Sequence, residues 1–164
     1  MFKSGTIQKI FEIGKVKVGG QLGELPTVLI GNIFYKGMPE VTDHKKGRFD
    51  SKKVLKWIKI AEELSQKTGV PHFLDIMAMH PEAMKKYILF ITKHCESVIL
   101  IDGANQETRL AGLETVRELG LQRKVIFNAI FLKMSREELN AVRESGIDAA
   151  ILLAQNEMDY SPEG

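Results

Sequence analysis

The sequence predicts an α/β fold built on about five parallel strands. Three observations carry this. Five short apolar runs occur at Thr27–Ile30, Pro71–Leu74, Val98–Ile101, Val125–Phe127 and Ala149–Leu153. Stretches with apolar residues at helical spacing separate them. After the first crossover the runs recur every ~25 residues, the size of a βα unit with a right-handed crossover. Two arrangements suit such units: an open doubly wound sheet, or a (β/α) barrel. A complete barrel needs eight units and about 200 residues or more. This chain of 164 residues has room for just over half of one.

Residues 9–24 read as a hairpin or amino-terminal cap. Phe11 and Ile13 alternate with polar residues, and Val16 and Val18 follow across Gly14-Lys15. Such a hairpin is expected to close the far end of a barrel or to lie against the first strand. The longest irregular stretch, 32–49, follows that strand, and a loop of this length is usually functional or mobile. Asp50 is placed to cap a helix over 51–68, with Val54, Leu55, Ile58, Ala61 and Leu64 on one side and Gly69 as the stop. His80-Pro81 starts a helix over 81–94, because Pro is tolerated in a first turn. A third helix covers about 106–119 and ends at Gly120. A fourth begins at Ser135 and ends at Gly146, with Glu138 completing a capping box. The face of the sheet away from the helices is expected to carry Leu29, Leu74, Leu100, Ile126 and Leu152, or their strand neighbours. The sheet edges and that apolar face need cover, so association with another chain is expected.

The composition is that of a globular domain, 44% apolar with a formal charge of +2. The whole chain, 1–164, is expected to form one domain. No basic stripe with interleaved aromatics points to nucleic acid. No apolar run reaches the ~18 residues of a membrane span, and the first residues lack a signal-peptide core. The one cysteine, Cys95, cannot form an internal disulfide, which suits a reducing cytoplasm. His44, His72, His80 and His94 are scattered, without His-x-x-x-His or Cys-x-x-Cys spacing, so no protein-bound metal is expected. The methionines 77, 79, 84, 134 and 158 read as gap-fillers, a few near the rim.

A polar residue follows each apolar run: Asn32, Asp75, Asp102, Asn128, and the pair Gln155 and Asn156. In parallel α/β sheets ligands bind at the carboxyl ends of the strands. A rim of Asp, Asn and Gln offers acceptors and amide donors but few positive charges. That suits a neutral heterocycle rich in N–H and C=O groups better than a phosphate. Each position also has a local explanation. Asp102 stands where it can cap the third helix, and Asn32 can form a turn. The cluster Lys45-Lys46-Gly47-Arg48 is either a solvated loop or a contact for an acidic tail or partner.

The stretches GGQLGELPTVLIGNIFYKG (19–37), KKGRFD (45–50), LIDGANQETRLAG (100–112), IFNAI (126–130) and SGIDAAILLAQNEMDYSPEG (145–164) resemble the H subunit of tetrahydromethanopterin S-methyltransferase and its bacterial relatives. The motifs match in order and spacing from about residue 2 to residue 164, and cover the amino-terminal half of that family's pterin-binding (β/α)8 barrel of the TIM type. The resemblance implies that Asp102 and Asn128 are similar to the pterin-ring anchors at the ends of the third and fourth strands. Two departures stand out. Gly103-Ala104 replace small hydroxyl residues, and Ile130-Phe131 stand where a polar Asn is common.

The activity implied is methyl transfer between a tetrahydropterin, either tetrahydromethanopterin or tetrahydrofolate, and a corrinoid (cobalamin) carried by a partner protein. The catalytic proton donor is not identified by any motif. An alternative class is a non-catalytic half-barrel that binds a partner chain supplying the missing strands, or pairs with a copy of itself.

Overall fold

A computed structural model describes residues 5–154. Five strands form one parallel sheet: β3 (Leu29–Ile33), β6 (His72–Ala78), β7 (Ile99–Gly103), β8 (Val125–Ile130) and β9 (Ala149–Leu152). Their spatial order is β3-β6-β7-β8-β9, the order of the sequence. A doubly wound sheet reverses direction at a switch point and so covers both faces with helices. Here there is no reversal. The helices stay on one face, as in part of a (β/α) barrel of the TIM type.

The helices begin and end at local signals. Asp50 accepts a hydrogen bond from the Lys53 amide at 3.1 Å and caps α1 (Ser51–Thr68). Gly69 ends it at φ 72°. Pro81 opens α2 (Pro81–His94), and α3 spans Gln106–Glu118. Ser135 accepts from the Glu138 amide and caps α4 (Arg136–Glu144). The outer core joins Val54, Ile58, Met84, Tyr87, Ile88 and Ile91 from the helices to Leu74, Ile76, Ile99, Ile101 and Phe127 from the strands. Each aliphatic or Phe side chain among them stabilises the fold by about 1.5–3 kcal/mol relative to exposure. Among the described residues, no helix is long and apolar enough to cross a membrane.

The other, concave face has its own apolar cluster of Phe73, Val98, Leu100 and Ile126. Leu100 and Ile126 therefore fall on the expected face. Leu74 does not, and neighbours replace it and the other two: Ile30 for Leu29, Phe73 for Leu74, Ile151 for Leu152. Leu29 and Leu152 are 59% and 71% exposed. Side chains alternate along a strand, so counting by two from Phe73, Leu100 and Ile126 leads to Asp75, Asp102 and Asn128.

The hairpin β1 (Ile10–Ile13) and β2 (Val16–Gly19) closes the amino end of this face. Ile13, Val16 and Val18 pack on the concave cluster, and the Gly14 amide donates to the Arg123 carbonyl at 2.7 Å. Gly14 has φ +59°, and a Cβ there would lie 3.0 Å from Val98. Only glycine allows this approach without strain.

The stretch 32–49 is more ordered than its sequence suggests. It holds a small antiparallel pair, β4 (Val41–Asp43) and β5 (Arg48–Phe49). Phe34, fully buried at φ 64°, stacks on Tyr87 with ring centroids 3.9 Å apart. Phe49 meets both rings edge-on. The Asp43 carboxylate accepts from the Lys45 and Lys46 amides, and Lys86 Nζ donates to the Lys46 carbonyl at 2.7 Å. The basic turn is thus fixed to α2, with Lys45, Lys46 and Arg48 exposed.

Candidate functional site

Strand register brings the polar residues together. Asn32 pairs with Asp75 across β3 and β6, Met77 with Asp102 across β6 and β7, and Asp102 with Asn128 across β7 and β8. Asn32, Asp102 and Asn128 lie near the carboxyl ends of their strands, the end away from the hairpin, and Asp75 lies midway along β6. The amide of Asn128 donates to both oxygens of Asp75, at 3.3 and 3.4 Å. With Nδ2 turned to Asp75, the Oδ1 of Asn128 remains available as an acceptor. The peptide bond after Asn128 is cis. Asp102 stands in register beside Asn128, on the strand between the partners of that bond.

The local explanation for Asp102 does not hold. Asn105 caps α3 instead, accepting from the Thr108 amide and from its hydroxyl, each at 2.9 Å. Asp102 is left facing the concave side, half-buried. Asp75 is 5% exposed. Burial and the nearby Asp102 carboxylate push Asp75 up to about 6, against the stabilising amide of Asn128. Burial also raises Asp102, and the positive charge of Arg109 opposes it. Two acids with different environments share one small site, so one carries a proton near neutrality more readily than the other.

Asn32 lies on β3, exposed, level with Asp75. Gln155 and Asn156 lie outside the described residues, as does Met158. Met84 and Met134 are buried in the outer core, as gap-fillers. Met77 is half-buried and in register with Asp102. His72 accepts from or donates to the Ser97 hydroxyl at 3.2 Å, and Cys95 donates to Glu62 at 3.1 Å, both towards the amino end of the sheet. Among the described residues, no group of three or more His, Cys, Asp and Glu side chains is arranged to hold a metal ion. The concave face below the acids is an apolar hollow of about 450 Å³, with Val18, Leu22, Val28, Phe73, Ile126 and Ile151 among its walls.

Residues that sequence reasoning missed stand behind the acids. Arg109 donates to the Gly103 carbonyl at 2.9 Å and forms a two-pronged pair with Glu138. Nothing in the order LIDGAN…R signals that pairing, because its partner lies 29 residues further on. Gly103 itself has no room for a side chain: a Cβ would come within 2.7 Å of Arg109.

An acceptor-rich corner above an apolar hollow fits a flat neutral ring with N–H donors on one edge. Comparison with known proteins places the chain in a family. The family model described as tetrahydromethanopterin S-methyltransferase MtrH subunit matches residues 6–164. The H subunit of tetrahydromethanopterin S-methyltransferase from Methanopyrus kandleri is 41% identical over 160 residues, covering 98% of this chain and 50% of that protein. Its counterpart in Methanothermobacter marburgensis is 38% identical, covering 100% and 53%. The H subunit of a putative methyltransferase, mtx, from Methanosarcina barkeri is 40% identical with the same coverage, 100% and 53%. The chain spans about half the length of the curated relatives it matches. With matched residues running through the strands that carry Asp75, Asp102 and Asn128, the chain belongs to the tetrahydromethanopterin S-methyltransferase MtrH subunit family.

Proposed function

We propose that residues 1–164 form one domain that supplies the amino-terminal wall of a pterin site, in a methyltransferase that moves a methyl group between a tetrahydropterin and a corrinoid protein. The observation that carries this is the meeting of Asp75, Asp102 and Asn128 at one rim, above an apolar hollow. The ionised Asp102 accepts hydrogen bonds from the amino and ring N–H groups of the pterin. Asn128, oriented by Asp75, presents its carbonyl oxygen to the adjoining ring edge. Asn32, level with Asp75 on β3, is a further contact in this reading, and Gln155 and Asn156 are carried into it from the sequence alone. The relatives' names favour tetrahydromethanopterin as carrier, with tetrahydrofolate as the alternative.

Loss of a methyl group from a tertiary ring nitrogen makes a poor leaving group unless that nitrogen gains a proton or a strong hydrogen bond as the bond breaks. Asp75, raised to about 6, takes up and releases a proton closer to neutral pH than an ordinary carboxyl does. It is the best placed acid among the described residues to supply that help, directly or through Asn128. A corrinoid, borne by a separate protein, would supply the methyl acceptor or donor. The remaining barrel wall comes from further sequence or from a second chain. The exposed Leu29 and Leu152, on the two edge strands, support such a completion.

Calorimetry on the intact protein tests the reading. Tetrahydromethanopterin should bind, and Asp102→Ala should weaken it by about 1–3 kcal/mol, the usual cost of losing a charged hydrogen-bond partner. Equal affinity of the two proteins would remove Asp102 from the site. Corrinoid-dependent demethylation of the methylated pterin, followed by cobalt absorbance, tests the reaction.

A further inference from the structure

Arg109 and Glu138 do more than their local sequence requires. The Arg109 side chain is 12% exposed and that of Glu138 1%. Arg109 Nε donates to one oxygen of Glu138, and Nη2 donates to the other at 2.9 Å. The remaining arm, Nη1, donates to the Gly103 carbonyl at 2.9 Å. The guanidinium also lies over the Phe131 ring, 5.3 Å from its centroid. One side chain thereby ties the carboxyl end of β7 to the segment after β8 and to α4.

Stability alone is a weak reason for such a pair. Apolar residues of similar size generally serve a core at least as well as a buried ion pair. Glu138 sits at the capping-box position of α4, where a carboxylate would reach back to the start of its own helix. It grips Arg109 instead. The beneficiary is next in sequence to the gripped carbonyl: Gly103 directly follows Asp102. The charged and titratable groups around Asp102 come from three elements. Asp75 faces it from β6 and Arg109 from α3, while Glu138 on α4 stands behind Arg109. The neutral Asn128 faces it from β8.

We propose that Arg109, held by Glu138, is a positioning residue of the rim: it fixes the carboxyl end of β7, which carries Asp102, and sets its positive charge on the Asp102 side of the pair of acids. This rests on the pterin reading for its use, but not for its mechanism, which belongs to the free protein. Arg109 lowers the cost of ionising Asp102 in a buried setting, in agreement with the direction of its effect there. Asp102, in its ionised form, is then a full acceptor for ring N–H groups.

The test uses the intact protein, with carboxyl ¹³C NMR to follow Asp102 against pH, and calorimetry of tetrahydromethanopterin across the same range. The double variant Arg109→Met with Glu138→Met removes the pair without leaving a buried unpaired charge, so it should fold. Arg109→Lys keeps the charge and loses the fork. The double variant should show the Asp102 midpoint shifted to higher pH, and the acid limb of pterin affinity shifted with it. Arg109→Lys should keep the midpoint close to that of the parent while its affinity falls at all pH values. An Asp102 midpoint unchanged in the double variant overturns the proposal, whatever happens to affinity. A midpoint that moves while even the parent protein binds no pterin supports the positioning role and sinks the pterin reading instead.

Discussion

Asp75→Asn is the substitution that most sharply separates the chemistry of the rim from its packing. The new side chain has nearly the same shape, and its carbonyl oxygen can still accept from the Asn128 amide. What disappears is the ionisable proton. Asp75 shifts from an ordinary 3.8 to about 6 on folding. The difference corresponds to about 3 kcal/mol, at 1.36 kcal/mol for each pH unit. Its sign follows from proton counting. Between pH 4 and 6 the folded protein holds the proton and the unfolded chain has released it. Stability therefore falls as pH rises through that window, then levels off above it. Below pH 4 both states are protonated and the contribution is fully present. Asp75→Asn lacks this loss, so it should gain on the parent protein as pH rises. Urea unfolding of both proteins at pH 4, 5, 6, 7 and 8 measures it. The variant should be more stable than the parent at pH 8 by about 2–3 kcal/mol relative to the difference at pH 4. A difference that stays constant with pH, or that turns against the variant as pH rises, would refute the argument that Asp75 is ionised at a cost.

Two further substitutions probe the surroundings of Asp102. Gly103→Ala places a Cβ within 2.7 Å of the Arg109 backbone nitrogen and Cγ, and should destabilise by about 1–3 kcal/mol, read by thermal or urea unfolding. Asn105→Ala removes the cap of α3 and should cost about 0.5–2 kcal/mol of stability while leaving pterin affinity of the folded protein unchanged. A marked fall in affinity for that variant would mean that the cap and the ligand site are not separate.

The helices were legible because their ends carry strong punctuation. Asp50 with Gly69 and His80-Pro81 fix α1 and α2 at the bounds the sequence indicates. The strands were legible as apolar runs, but their carboxyl ends were not. Strand β6 continues through Asp75 to Ala78, because a polar side chain on the concave side interrupts the apolar pattern without breaking the ladder. The same continuity hid which side faces inward. A strand buried on both faces has no alternation to read, so Leu74 looked as interior as Phe73. The polar rim residues themselves hold the missing phase, since Asp75, Asp102 and Asn128 count back by two to Phe73, Leu100 and Ile126. The pair β4 and β5 was hidden by brevity, with three and two residues. Glu138 was hidden by ambiguity, since the capping-box pattern accounts for it without its distant partner. Asp75 was visible as a strand-end acid, yet its bond to Asn128 spans 53 residues and only the sheet order reveals it.

A crystal structure of the intact protein with tetrahydromethanopterin bound tests the central claim most directly. The pterin ring should lie on the concave face at the carboxyl ends of β6, β7 and β8, with its N–H edge within hydrogen-bond distance of Asp102 and the Asn128 carbonyl oxygen. A ring bound elsewhere, or one at this rim that leaves both side chains without contact, would contradict it.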